Sequence, residues 1–116
     1  LKSLGHDVPS DHVAEPGVLS ADGALSPRQV YERDVRWIED SDAMIAEVST
    51  PSLGVGYEIG YALERGKLVL CLYRDGLFVS KMITGHPSPL LSVAVYRDET
   101  ELDEHIGIFL SRIALP

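Results

Sequence analysis

Ala43-Met44-Ile45-Ala46-Glu47-Val48-Ser49-Thr50-Pro51-Ser52-Leu53-Gly54-Val55-Gly56-Tyr57-Glu58 passes from an apolar run, through hydroxyls and a proline, into a helical pattern. Ala43 to Val48 reads as a strand and Ser49 to Val55 as a loop. A helix follows over about Gly56 to Arg65, capped by Gly66. Leu68 to Tyr73 is then a nearly unbroken apolar strand, the pattern of a parallel strand covered on both faces. Two parallel strands joined through a helix imply a right-handed crossover.

Upstream, Ser26-Pro27-Arg28-Gln29 is a helix start, with Ser as N-cap, Pro at the first helical position and Gln closing a capping box. The helix is expected to run to about Asp40, with Val30, Tyr31, Val35, Trp37 and Ile38 on its apolar face. Asp34 falls in the middle of that face, and a carboxylate there needs a reason. Further upstream, Leu1 to Gly5 reads as a helix tail, His6 to His12 as a strand and Glu15 to Ser26 as a loop.

Downstream, Asp75-Gly76 marks a turn and Val79 to Thr84 a short helix. Gly85 to Pro89 reads as loop and Ser92 to Tyr96 as a last strand. Asp98 caps a final helix, with Glu101 placed to close a second capping box. Leu102, Ile106, Phe109, Leu110 and Ile113 form its core stripe. The alternation of strand and helix implies one α/β domain over residues 1–116, a flavodoxin- or Rossmann-like three-layer sandwich on a parallel sheet. Ligands in such sheets bind outside the C-terminal strand ends.

The 116 residues suit a single domain, and 45% of them are hydrophobic, enough for one core. The formal charge of −8 argues against nucleic-acid polymers and anionic membranes as partners. No apolar run approaches the ~20 residues that span a bilayer, and no secretory leader is seen. Cys71 is the only cysteine and sits in an apolar run, so it reads as a buried thiol in a reducing compartment. A cytoplasmic location is expected, with a nuclear one also compatible. One cysteine and four scattered histidines make no zinc cage, and no cofactor is expected.

Chemistry concentrates between Ser49 and Glu58. Gly54 and Gly56 allow close backbone approach, Ser52 offers a hydroxyl, and the following helix start offers free N–H groups. The segment reads either as a phosphate or carboxylate cradle or as a plain tight turn. Glu58 is either a surface residue complementing the helix dipole or a carboxylate turned toward the strand ends, where the helix start would keep it ionised as a nucleophile. Asp34 is either a second carboxylate of the site or a structural one paired with Arg33 or Arg36. Two carboxylates near one sheet edge suit glycosidic chemistry. His12, ending its strand, is either solvated or a substrate contact.

Asp34-Val35-Arg36-Trp37-Ile38, Asp42 to Val48 and Pro51 to Gly60 together resemble the 2′-deoxynucleoside 5′-phosphate N-hydrolases of the nucleoside 2-deoxyribosyltransferase superfamily. The likeness runs from about Val8 to Met82. It implies hydrolysis of a deoxynucleoside monophosphate to free base and 2-deoxyribose 5-phosphate, without a metal. It implies Glu58 as nucleophile, Asp34 as the carboxylate that handles a proton and positions substrate, and Ser52 and Gly54 as 5′-phosphate ligands. It further implies that Ser80 reaches the phosphate of the neighbouring protomer of a homodimer, with Met82 a substrate contact. The family begins with a strand carrying a tyrosine and a Gly-Ser loop, to which nothing in this chain corresponds. The domain is therefore read as N-terminally incomplete, by about 25–35 residues for such a unit. The alternatives are a deoxyribosyltransferase, in which a second base replaces water, a hydrolase of ribonucleotides, and a nucleotide-binding module without catalysis.

Overall fold

The computed structural model describes residues 24–114. The strand expected at His6 to His12, and His12 with it, lies outside the described residues. Seven elements follow in order: α1 (Pro27–Asp40), β1 (Ala43–Glu47), α2 (Leu53–Glu64), β2 (Leu68–Arg74), α3 (Lys81–Thr84), β3 (Leu91–Tyr96) and α4 (Glu99–Ala114). The strands form a parallel sheet in the order β1-β2-β3, with Ala46 level with Cys71 and Cys71 with Val93. β2 is central, which is why its sequence is apolar on both faces.

The alternation of the strands feeds two cores. Met44, Ala46, Val48, Val69 and Cys71 face one way and pack with Ile38 of α1, Ile59 and Ala62 of α2, and Val79. Ala43, Ile45, Leu70, Leu72 and Tyr96 face the other way and pack with Phe109 and Leu110 of α4. Helices thus cover both faces of the sheet, which makes the sandwich three-layered. Burial pushes the Cys71 thiol up to about 12, so it is an inert core group.

Ser26 caps α1 as expected. Its hydroxyl accepts from Gln29 N–H at 3.1 Å, and the Gln29 side chain accepts from Ser26 N–H at 2.9 Å. Three helix starts differ from expectation. The short α3 begins at Lys81 rather than Val79, because Ser80 is its cap. α2 begins at Leu53 rather than near Gly56, because Ser52 is its N-cap, so Gly54 and Gly56 lie inside the first turn. At α4, Asp98 does accept from Glu101 N–H at 2.9 Å, but the Glu101 carboxylate takes the Arg97 N–H at 2.8 Å instead of closing the box on Asp98. The Arg97 guanidinium, 2.6 Å from Glu101, draws the carboxylate one residue back.

Candidate active site

The loop between β1 and α2 is short and closely specified. Val48 N–H still donates to Leu72 O at 2.8 Å, so the chain leaves the sheet only after Val48. Four residues later Ser52 starts α2. Its hydroxyl accepts from Val55 N–H at 3.2 Å and its carbonyl from Gly56 N–H at 3.0 Å. By helix geometry the N–H groups of Leu53 and Gly54 have no intrahelical acceptor. The Ser52 hydroxyl still has its own proton to donate. Three donors therefore converge at the start of α2, where the helix dipole favours an anion.

Glu58 lies in the second turn of α2 and is only 6% exposed. Among the described residues it is the one buried acidic side chain. At 100° per residue it points along the flank of α2 that meets α1, close to the sheet-facing row of Val55, Ile59 and Ala62. α1 runs alongside. Tyr31 and Tyr57 meet edge to face at 6.1 Å near the helix starts, and Tyr61 Oη donates to Glu39 at 2.6 Å further on. Asp34 lies one turn after Tyr31 and one turn before the buried Ile38 on α1, and Glu58 follows Tyr57 on α2. The Asp34 side chain is 13% exposed and accepts from Arg33 Nε at 2.9 Å. Of the two arginines considered for it, Arg33 is the partner. The Arg33 guanidinium lies 4.7 Å from the Trp37 ring centroid, which holds the pair against α1.

The opposite flank of α2 borders an open cleft of about 1280 Å³, with Ser52, Gly56 and Gly60 on one wall and Phe78, Ser80 and Met82 on the other. A Cβ at Gly56 or Gly60 would meet nothing within 4 Å, so their missing side chains leave room in the cleft. Ser80 caps the short α3, its hydroxyl accepting from Met82 N–H at 3.2 Å. The expected residues thus fall apart: Asp34 on α1, Glu58 buried on one flank of α2, and Ser52, Ser80 and Met82 around the cleft, with Gly54 in the first turn of α2. Glu58 and Asp34 do not line the cleft. Large apolar side chains stand in solvent beside it: Leu53 is 96% exposed, Phe78 79% and Met82 81%.

A polar cluster at the C-terminal strand ends was not foreseen. Glu47 accepts from Ser49 N–H at 2.8 Å, from Ser49 Oγ at 2.7 Å and from Tyr96 Oη. Its only sequence signal was a lone acidic residue in an apolar strand. Among the described residues, no three His, Cys, Asp or Glu side chains are grouped to hold a metal ion, and no helix is long and apolar enough to cross a membrane.

A parallel sheet with helices on both faces places this chain among the α/β proteins whose ligands bind outside the C-terminal strand ends. The chain belongs to the nucleoside 2-deoxyribosyltransferase family, whose model matches residues 1–91. It is 43% identical over 110 residues to a Methanosarcina mazei protein named "Putative 2′-deoxynucleoside 5′-phosphate N-hydrolase 1", covering 95% of this chain and 68% of that one. It is 43% identical over 80 residues to the Homo sapiens 5-hydroxymethyl-dUMP N-hydrolase, covering 66% of this chain and 46% of that one. Among solved structures it is similar to a Clostridium botulinum CMP N-glycosidase, with a TM-score of 0.66 and 27% identity over 76% of this chain and 74% of that one.

Proposed function

We propose that this protein hydrolyses the N-glycosidic bond of 2′-deoxynucleoside 5′-monophosphates, releasing a free base and 2-deoxyribose 5-phosphate. The observation that carries this reading is the burial of the Glu58 carboxylate in the second turn of α2, a turn away from the donors at the start of that helix. Glu58 attacks the anomeric carbon while the C–N bond breaks, its electron pair leaving with the base nitrogen. Asp34 handles the proton that neutralises the leaving base. Water then attacks the same carbon, the Glu58 carboxylate departs, and the proton lost from water passes to Asp34. The transition state is cationic at the sugar, and a 2-deoxy sugar lacks the hydroxyl that would withdraw electrons from it. The test is a panel of deoxy- and ribonucleoside monophosphates, CMP included, with free base measured by chromatography. Base release from the deoxy series is expected to dominate. The family model also favours base exchange as a second reading. Adding an acceptor base decides it, since a hydrolase forms no new nucleotide.

In this reading the Ser52 hydroxyl and the N–H groups of Leu53 and Gly54 hold the 5′-phosphate, and His12 and Met82 contact substrate. Charge-assisted hydrogen bonds are each worth about 1.5–3 kcal/mol. Removing the 5′-phosphate from the substrate is therefore expected to lower kcat/KM by ~100-fold or more. Equal efficiency on nucleosides and their monophosphates would refute the cradle and favour the transferase.

The reading also makes the enzyme a homodimer. Ser80 stands across the cleft, on the far flank of α2 from Glu58 in its own chain, and Leu53, Phe78 and Met82 offer an apolar surface for a second copy. Ser80 would reach the phosphate bound by its partner. Mixing Glu58→Gln chains with Ser80→Ala chains under subunit exchange checks this. Half of the dimers become hybrids, each with one site intact and one carrying both lesions. Recovery to ~25% of wild-type activity is expected. No recovery beyond the two parents would exclude a shared site. A cytosolic location goes with this function, with Cys71 kept as a thiol.

A further inference from the structure

Glu47 is the last residue of β1, and by strand alternation its side chain lies on the α4 side with Ala43 and Ile45. The α2 start lies on the other side of the sheet. At the sheet end the Glu47 carboxylate holds both the N–H and the hydroxyl of Ser49, the first residue of the loop that leads to Ser52. Ser49 Oγ in turn accepts from Arg74 N–H, the end of β2, at 2.9 Å. Tyr96 Oη, from the end of β3, donates to the same carboxylate. Burial, and then the Glu47 hydrogen bond, raise the Tyr96 phenol above its ordinary pKa, so it stays a donor at neutral pH. The Arg74 guanidinium lies 5.4 Å from the Tyr96 ring centroid and closes the cluster.

Most of the ladder at these strand ends closes without the carboxylate. Val48 N–H donates to Leu72 O at 2.8 Å and Asp75 N–H to Tyr96 O at 3.0 Å, while Arg74 N–H donates to the Ser49 hydroxyl and not to Glu47. A half-buried carboxylate is a costly way to add stability, because desolvation opposes it and apolar packing usually serves as well. What the carboxylate alone does is accept three hydrogen bonds, two of them from one loop residue, which fixes where the loop leaves the sheet. Only Thr50 and Pro51 separate Ser49 from Ser52, so a shift at Ser49 passes directly to the helix cap.

We propose that Glu47 is a positioning residue, a clamp that holds the β1–α2 loop in the geometry that binds the 5′-phosphate. The proposal rests on the phosphate cradle of the proposed function and adds a residue that touches neither substrate nor Glu58.

The experiment measures Glu47→Gln and Ser49→Ala in the intact protein, by turnover and by calorimetric binding of inorganic phosphate. Gln keeps the size but turns an amide N–H₂ toward hydroxyls that need an acceptor. Both variants are expected to raise KM for the monophosphate and Kd for phosphate ~tenfold, about the loss of one good hydrogen bond. Their kcat should stay within ~threefold of wild type and their efficiency on the unphosphorylated nucleoside within ~twofold. A merely structural Glu47 predicts a lower melting temperature with equal loss on both substrates, and that result overturns the clamp. Unchanged phosphate affinity in both variants overturns it too, as does absence of phosphate binding by the unmodified protein. If Glu47→Gln does not fold, Ser49→Ala decides by the same readings. If the unmodified protein binds phosphate yet releases no base from any nucleotide, the hydrolase reading fails. The phosphate Kd of the variants then still decides the clamp: ~tenfold weaker binding supports it and equal binding overturns it.

Discussion

Glu58→Gln is expected to lower base release by at least ~10³-fold while the protein stays folded. Gln keeps the shape of the side chain and one carbonyl acceptor, but it cannot form or release a glycosyl ester at the anomeric carbon. Loss of that covalent route removes ~4 kcal/mol or more of transition-state stabilisation. The fold should tolerate the change, because Glu58 is buried and a neutral amide is cheaper to bury than a carboxylate. A melting temperature within a few degrees of wild type, with phosphate affinity retained, would place the whole loss in the chemistry. A second variant sharpens the test. Glu58→Ala opens space under the sugar, and added azide should restore turnover by forming an azido sugar phosphate. Near-normal base release from Glu58→Gln would remove the nucleophile from the proposal.

The legible part of the molecule is the part written in local pattern. The apolar runs at Ala43–Glu47 and Leu68–Arg74 and the Ser26 capping box announce β1, β2 and α1 from neighbouring residues alone. The start of α2 was less legible. Ser49, Thr50 and Ser52 all offer a hydroxyl before the apolar pattern resumes, and Gly54 and Gly56 weaken the helical signal. Only the bond from Val55 N–H singles out Ser52 as the cap. Asp34 was legible as an anomaly, an acid on an apolar face. Its pairing with Arg33 rather than Arg36 depends on how Trp37 seats the guanidinium. Glu47 was not legible, since its partner Tyr96 is 49 residues away and no local periodicity connects them. The cleft between α2 and α3 is likewise a product of tertiary packing. The family resemblance supplied the names of Ser80 and Met82, while the geometry puts them on the opposite flank of α2 from Glu58.

Asp34→Asn is expected to cut kcat by ~10²–10⁴-fold, the range of a lost general acid–base group. The structure also gives Asp34 a structural tie, so stability must be measured on the same sample. The Arg33 pair is mostly withdrawn from solvent, at 18% and 13% exposure, yet not sealed. Its loss should therefore cost about 1–3 kcal/mol, or several degrees in melting temperature. Arg33→Met separates the two roles. It breaks the same pair and leaves the carboxylate in place, so a structural Asp34 predicts that both variants lose activity alike. A catalytic Asp34 predicts that Arg33→Met keeps most of its activity while Asp34→Asn does not. The leaving base offers an independent check. A base that departs well without protonation needs Asp34 less, so the deficit of Asp34→Asn should shrink as the leaving group improves. A deficit of constant size across bases, matched by Arg33→Met, would make Asp34 a structural residue and leave Glu58 to act without a proton-handling partner on α1.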